Sequence, residues 1–336
     1  MGLPAARRPL AAIVGTMVVV ALASCGGSRS IDRAAPSGAT RGFRALQWNV
    51  SGDAWTRHAA EARAVLRHAD PDLFILDEVD PALGESGVRA MLGGLRGAAD
   101  TTWFVSLGAG GSYQRTAIAS RDSVVALAEF ALVPFPDTGG AAARAAVPDS
   151  VRSHPTRAEA ATVATNGAMV RVAGRRLFVV GLDLTSSGAA GSWRDVRRQV
   201  EAVAIRERMR AVLARLAPDG VIAAGDLNLA TGPAPLDTLL GSVSAPPLGP
   251  MRAADAVHHD GWTTWTWDGR GTAFNGGRLD VMTYSAGTLE PTRGRVWNTE
   301  LMPPDTLLAH QLAPGTSASI NRHRPVVVDF VFRAPR

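Results

Sequence analysis

Five apolar runs in this chain of 336 residues each meet, at one end, a polar side chain able to hold a cation or move a proton. The sharpest is Val221-Ile222-Ala223-Ala224, which runs into Gly225-Asp226-Leu227-Asn228. In an α/β sheet, ligands collect outside the carboxyl ends of strands. An Asp and an Asn two residues apart on extended backbone point to one face, where a hard cation and a phosphate oxygen can be held together. Taken alone, Gly-Asp-x-Asn is equally an ordinary turn, because both side chains bond their own backbone readily.

The recurrence changes that balance. Residues 43–50 contain Trp48-Asn49, residues 71–79 end in Asp77-Glu78-Val79, residues 279–284 contain Asp280, and His323-Arg324-Pro325 leads into the apolar run at 326–330. Asn49, Glu78, Asp226 with Asn228, and Asp280 are oxygen donors suited to a small divalent cation, and His323 suits proton transfer. Around them the elements alternate as an α/β fold requires. Ser192-Trp193-Arg194-Asp195 opens a helix to Leu216 whose apolar stripe includes Trp193, Val196, Val200, Val203, Met209 and Val212. Residues 169–172 and 177–182 flank Ala173-Gly174-Arg175-Arg176 as a hairpin. His258-His259-Asp260 lacks further ligands at matching spacing and reads as a loop.

In order and spacing, Trp48-Asn49, residues 71–79, Gly225-Asp226-Leu227-Asn228, Thr264-Trp265, Arg278-Leu279-Asp280 and His323-Arg324-Pro325-Val326 resemble the endonuclease/exonuclease/phosphatase superfamily of DNase I-like phosphoesterases. The resemblance spans residues 43–332. It implies an α/β fold, a four-layered α/β/β/α sandwich of two mostly antiparallel sheets packed face to face with helices outside. It also implies Mg²⁺, with Mn²⁺ or Ca²⁺ as substitutes, held by Glu78 and Asn49. Asp226 is then the residue that holds or deprotonates the attacking water, Asn228 orients that water or meets a phosphoryl oxygen, and Asp280 and His323 form a dyad. Two positions depart from the family pattern: Asp183 stands where a His is usual, and Arg322 where an Asp precedes the last His. Asp183 can act as a proton donor only if its pKa rises far above about 3.9. Arg322 offers a guanidinium to the substrate phosphate. These departures keep open a second reading, a catalytically impaired scaffold serving as a ligand-binding lipoprotein.

The amino-terminal residues speak to location. Arg7 and Arg8 precede an apolar stretch at 10–23 that is too short for a bilayer span, so residues 1–24 read as an export signal. Leu22-Ala23-Ser24-Cys25-Gly26 resembles the lipobox of bacterial lipoproteins, and Cys25 is the sole cysteine. The expectation is an exported monomer, lipid-anchored through Cys25 in the bacterial cell envelope, with residues 25–41 as a flexible tether. Residues 42–336 form the phosphoesterase-like domain, interrupted by a long loop insertion near 134–161 rich in Pro, Gly and Ala. The formal charge is +5 and all 35 basic residues are arginine. This mild excess suits an anionic substrate but not a dedicated nucleic-acid binder with a basic stripe. The phosphoester partner is therefore a nucleic acid, a phospholipid or a small phosphate ester, and Trp262, Trp265 and Trp267 are either stacking surfaces or core.

Overall fold

The structure is a computed structural model that describes residues 42–97, 102–111, 115–134 and 162–334. The signal at 1–24, the tether at 25–41 with Cys25, and the 134–161 loop beyond Pro134 lie outside the described residues. The ends of that loop meet: Val163 N–H donates to the Val133 carbonyl at 2.9 Å, and Pro134 bridges Thr162.

Strand formation follows from period-two patterning of Val, Ile, Leu and Phe. One sheet comprises, in spatial order, β11 (Leu289–Val296), β12 (Val326–Phe332), β1 (Gly42–Gly52), β2 (Leu73–Val79), β4 (Arg115–Ser120) and β3 (Phe104–Leu107). The other comprises β5 (Ser123–Ala126), β6 (Ala164–Val172), β7 (Arg175–Asp183), β8 (Gly220–Asp226), β10 (Asp280–Ser285) and β9 (Met251–Ala253). Only β1–β2 and β7–β8 run parallel; the other pairs are antiparallel.

Side-chain parity separates three cores. Phe43, Ala45, Leu73 and Ile75 of the first sheet meet Leu177, Val179, Ile222, Ala224 and Met282 of the second, so the sheets pack face to face. On the outer face of the first sheet, Leu46, Trp48, Phe74 and Leu76 pack with Val65 and Leu66 of the Ala59–Ala69 helix. On the outer face of the second, Phe178, Val180, Val221 and Ala223 pack with Ile205, Met209 and Val212 of the Trp193–Arg215 helix. The result is the expected α/β/β/α sandwich.

The Trp193–Arg215 helix departs from its expected stripe. Trp193 is 45% exposed, and the buried face runs through Arg198, Glu201, Ala202, Ile205, Met209 and Val212. Its polar half has work to do at the sheet: Glu201 accepts from Thr185 N–H at 2.7 Å and from its hydroxyl at 2.8 Å, and Arg198 donates to the Thr185 carbonyl at 2.5 Å. The segment leaving β7 just after Asp183 is therefore clamped. The 173–176 turn is also tighter than expected, with only Ala173 (φ 51°) and Gly174 (φ 78°) between the strands, as a two-residue hairpin loop with positive φ requires.

Gly225 sets the approach of β8 to β7. A Cβ there would lie 1.7 Å from the Leu182 carbonyl oxygen, an impossible contact with backbone. Gly225→Ala should therefore destabilise the domain by about 1–3 kcal/mol, a drop of several degrees in melting temperature on the order of 2–4 °C per kcal/mol, with Asp226 displaced. An unchanged melting curve would show that β8 relaxes freely at this point.

Candidate active site

The inner faces of the strands are apolar for most of their length and polar at one end. Parity places Gln47 and Asn49 after Phe43 and Ala45 on β1, Asp77 after Leu73 and Ile75 on β2, Asp183 after Leu177 and Val179 on β7, and Asp226 after Ile222 and Ala224 on β8. Antiparallel β10 starts at the same end with Asp280, which pairs in register with Asp226, while Asp183 pairs with Asp226 from the other side. Glu78 joins the group through a backbone irregularity. Its φ is 51°, and the register of β2 shifts against both neighbours there. A non-glycine residue in the left-handed region costs about 1–2 kcal/mol, and the bulge lets two consecutive acids join one cluster.

Hydrogen bonds tie the group together. Asn49 Nδ2 donates to Glu78 Oε1 at 3.0 Å and to Asp226 Oδ2 at 3.3 Å, while its Oδ1 accepts from Ser51 N–H at 3.0 Å. Asn49 thus meets Glu78 as a donor, with its oxygen engaged elsewhere. Gln47 Nε2 bridges Asp77 at 2.7 Å and Asp280 at 3.0 Å, and Asp226 N–H donates to Asp77 at 3.1 Å. His323 Nδ1 lies 2.9 Å from Asp280 Oδ2, and its Nε2 lies 3.9 Å from Asp226 Oδ2. The expected dyad is formed. Its placement depends on Asn321, whose Oδ1 accepts from His323 N–H at 2.7 Å and whose Nδ2 donates to the Asn49 carbonyl at 3.1 Å.

Asn228 occupies the left-handed region with φ 49°; its Nδ2 donates to the Leu184 carbonyl at 2.8 Å, and its N–H donates to Asp226 Oδ1 at 2.9 Å. Arg322 is exposed, and its Nη1 donates to the carbonyls of Asp268 (3.1 Å) and Arg270 (2.7 Å). It is held on the neighbouring loop, beside the carboxylate cluster. Gln47, Asp77 and Asn321 are site residues that motif reading passed over; the i, i+2 relation of Gln47 to Asn49 was the available signal.

Five carboxyl groups, those of Asp77, Glu78, Asp183, Asp226 and Asp280, surround one imidazole, and all but Glu78 are buried. Burial raises Asp77 well above the usual carboxylate range, reinforced by Asp280 and Asp226 and opposed by Gln47. Asp183 is raised likewise by burial and by Glu78, Asp226 and Asp77, and its buried Oδ2 has no partner. Asp226 is pushed up to about 7, by burial first and then by Asp280. Burial disfavours the imidazolium of His323, but the charge of Asp280, its hydrogen bond, and the charges of Asp226 and Glu78 prevail and hold it at about 9. One acceptor oxygen on each of Asp226 and Asp280 and one ring nitrogen of His323 lie within 4.8 Å of one another.

The profile of the Endonuclease/Exonuclease/phosphatase family matches residues 46–307. The chain belongs to this family. Solved structures share its fold: an endonuclease/exonuclease/phosphatase from Bacteroides vulgatus is 12% identical with a TM-score of 0.56, covering 87% of this chain and 100% of its own. Truncated Caenorhabditis elegans TDP2 is 16% identical with a TM-score of 0.52, covering 86% of this chain and 98% of its own. The 3′ phosphatase NExo from Neisseria, bound to a product DNA hairpin, is 18% identical with a TM-score of 0.51, covering 87% and 100%. No curated protein sequence matches.

The proton balance of the metal-free site fixes a sign. Asp226 carries its proton to a higher pH folded than unfolded, so its favourable contribution is lost as pH rises from about 4 through about 7. His323, raised above 6.5, contributes fully below that value and loses its contribution as pH passes about 9. Thermal melts in EDTA should therefore show stability falling between pH 6 and pH 9, with His323→Gln flattening the upper part of that slope. A metal-free melting temperature that rises across this window would contradict the assignment.

Proposed function

We propose that the chain hydrolyses phosphoester bonds with a divalent metal ion, as an exported enzyme lipid-anchored in the cell envelope. The observation that supports the chemistry most is the crowding of five buried or half-buried carboxyl groups around one histidine at the polar end of the interlayer. Such a group needs protons or a cation to be tolerated. The donors fit a hard ion: every one but a single ring nitrogen is oxygen, and Asp183 Oδ2 is buried without a partner. Glu78 would hold the ion with Asn49 beside it, and Asp226 and Asp280 offer further oxygens. When bound, Mg²⁺, or Mn²⁺ or Ca²⁺ in its place, neutralises phosphate charge as a Lewis acid and positions the ester.

The chain's own residues supply the rest. Asp226, beside Asn49 and the Nε2 of His323, is placed to hold a proton of the attacking water. Asp280 fixes the proton-bearing ring of His323, so that its Nε2, on the side of Asp226, presents positive charge to a phosphoryl or leaving oxygen. Asp183, whose proton affinity is raised by burial and by Glu78, Asp226 and Asp77, would act as a hydrogen-bond donor where the family pattern has a histidine. Asn228 lies one turn from Asp226 and orients water or phosphate, and Arg322 adds charge at the rim.

The substrate reading that the surface favours is a nucleotide or nucleic acid. Trp267 bridges His323 on the backbone, and with Trp262 and Trp265 it lines a cavity of about 440 Å³. Trp262 is 77% exposed, so its ring is not core and can stack on a base, while Trp265 and Trp267 are half-buried. NExo and a zebrafish TDP2 whose structure holds a single-strand DNA product share the fold with 18% and 14% identity. Attachment to the envelope rests on the signal-like residues 1–24 and on Cys25.

Assays of nucleotide, nucleic-acid, phospholipid and sugar-phosphate esters, with and without Mg²⁺, Mn²⁺ or Ca²⁺, should give metal-dependent turnover. Glu78→Ala and His323→Ala should lower kcat by at least about 100-fold, and Trp262→Ala with Trp267→Ala should raise KM for nucleotide substrates more than for phospholipids. Cys25→Ala should release the protein from the membrane fraction. Inactivity with every ester and metal, together with retained ligand binding, would favour the ligand-binding lipoprotein that Asp183 and Arg322 suggest.

A further inference from the structure

A second polar cluster lies on the outer face of the first sheet, on the side of β1 opposite to Gln47 and Asn49. A cavity of about 230 Å³ there is lined by Arg44, His68, His259, Arg293, Arg295 and Trp297, with Asp329 among its walls. Arg44 of β1 and Arg293 of β11 flank Asp329 of β12 in register. Arg44 takes both carboxylate oxygens of Asp329, at 2.6 and 3.0 Å. Arg293 and Arg295 form no ion pair among the described residues, so the lining carries two uncompensated positive charges.

The lining side chains define what fits. Arg295 Nε, Trp297 Nε1, His68 Nδ1 and His259 Nδ1 are all buried without a hydrogen-bond partner. Guanidinium and indole nitrogens only donate. A cation gains nothing from the guanidinium groups of Arg293 and Arg295 that line the cavity, whereas an oxyanion can accept from them. His68 stands against His310 (ring centroids 3.2 Å apart) and Trp297 (4.3 Å), and His259 meets the same Trp297 edge-on at 5.8 Å. Burial, then His310, His259 and Arg44, hold His68 down to about 3; burial, then Arg295 and Arg293, lower His259. These surroundings favour the neutral form of both rings, and an anion beside them would favour the protonated form.

We propose that this cavity is an anion site for a tetrahedral dianion, phosphate or sulfate, free or as the phosphoryl end of a small ester. It is separate from the carboxylate cluster between the sheets, and it stands whether or not that cluster hydrolyses esters. Sulfate titration of the full-length protein, followed through the histidine ring resonances assigned with single His→Gln variants, tests it directly, because sulfate itself does not titrate between pH 6 and pH 8. The expected result is saturable shifts of His68, His259 and His310, with affinity about tenfold higher at pH 6 than at pH 8. Arg293→Ala with Arg295→Ala should weaken binding by at least about tenfold while leaving the melting temperature and the His323 resonance unchanged. Tighter binding of inorganic phosphate than of glycerol phosphate would assign the free ion, and the reverse an ester. Absence of saturable shifts at tens of millimolar sulfate, unaltered affinity in the double variant, or shifts produced by Zn²⁺ and not by sulfate would overturn the proposal.

Discussion

Mutual repulsion among carboxyl groups buried at the mouth of an apolar interlayer is the constraint on which the rest of this structure depends. Asp77, Asp183, Asp226 and Asp280 extend the inner faces of four strands, and Glu78 reaches the same volume through a left-handed bulge. In a medium less polarisable than water such charges cannot coexist uncompensated. Protonation of Asp77 and Asp183, the imidazolium of His323 and the amide donors of Gln47 and Asn49 relieve the strain without a cation. The divalent ion proposed for this site would do so more completely, and that coupling would link the fold to its chemistry.

The sandwich exists to create this edge. Two sheets supply inner faces whose apolar parity drives them together, and the same parity carries the next residue on each strand into a common volume. Gly225 lets β8 approach β7 closely enough for Asp183 and Asp226 to sit side by side. Glu201 and Arg198, on the helix covering the second sheet, fix the chain where it leaves Asp183. The outer layers therefore position the site as well as shield the sheets.

Much of this was legible in the amino-acid order. Asn49 late in β1, Asp226 at the end of β8, Asp280 at the start of β10 and His323 ahead of the last strand were readable because buried strands advertise themselves and their residues fall at fixed parity. Glu78 stood out and Asp77 did not: strict alternation sends them to opposite faces, and only the backbone at Glu78 brings both inside. Arg322 is readable as a charge beside His323, whereas the Asp268 and Arg270 carbonyls that its guanidinium meets are not revealed by any local pattern. The cluster joins His68 to His259, Trp297 and His310 far along the chain, so nothing in the spacing of His258-His259-Asp260 disclosed it.

Calorimetric titration of the full-length protein with Mg²⁺ or Mn²⁺ at neutral pH, in two buffers of different ionisation enthalpy, tests the central claim most directly. If the ion takes the place of protons in the carboxylate cluster, binding saturates near one site and releases protons, seen as a buffer-dependent heat, and Glu78→Gln abolishes it. Metal binding without proton release, or no binding at all, would contradict the account.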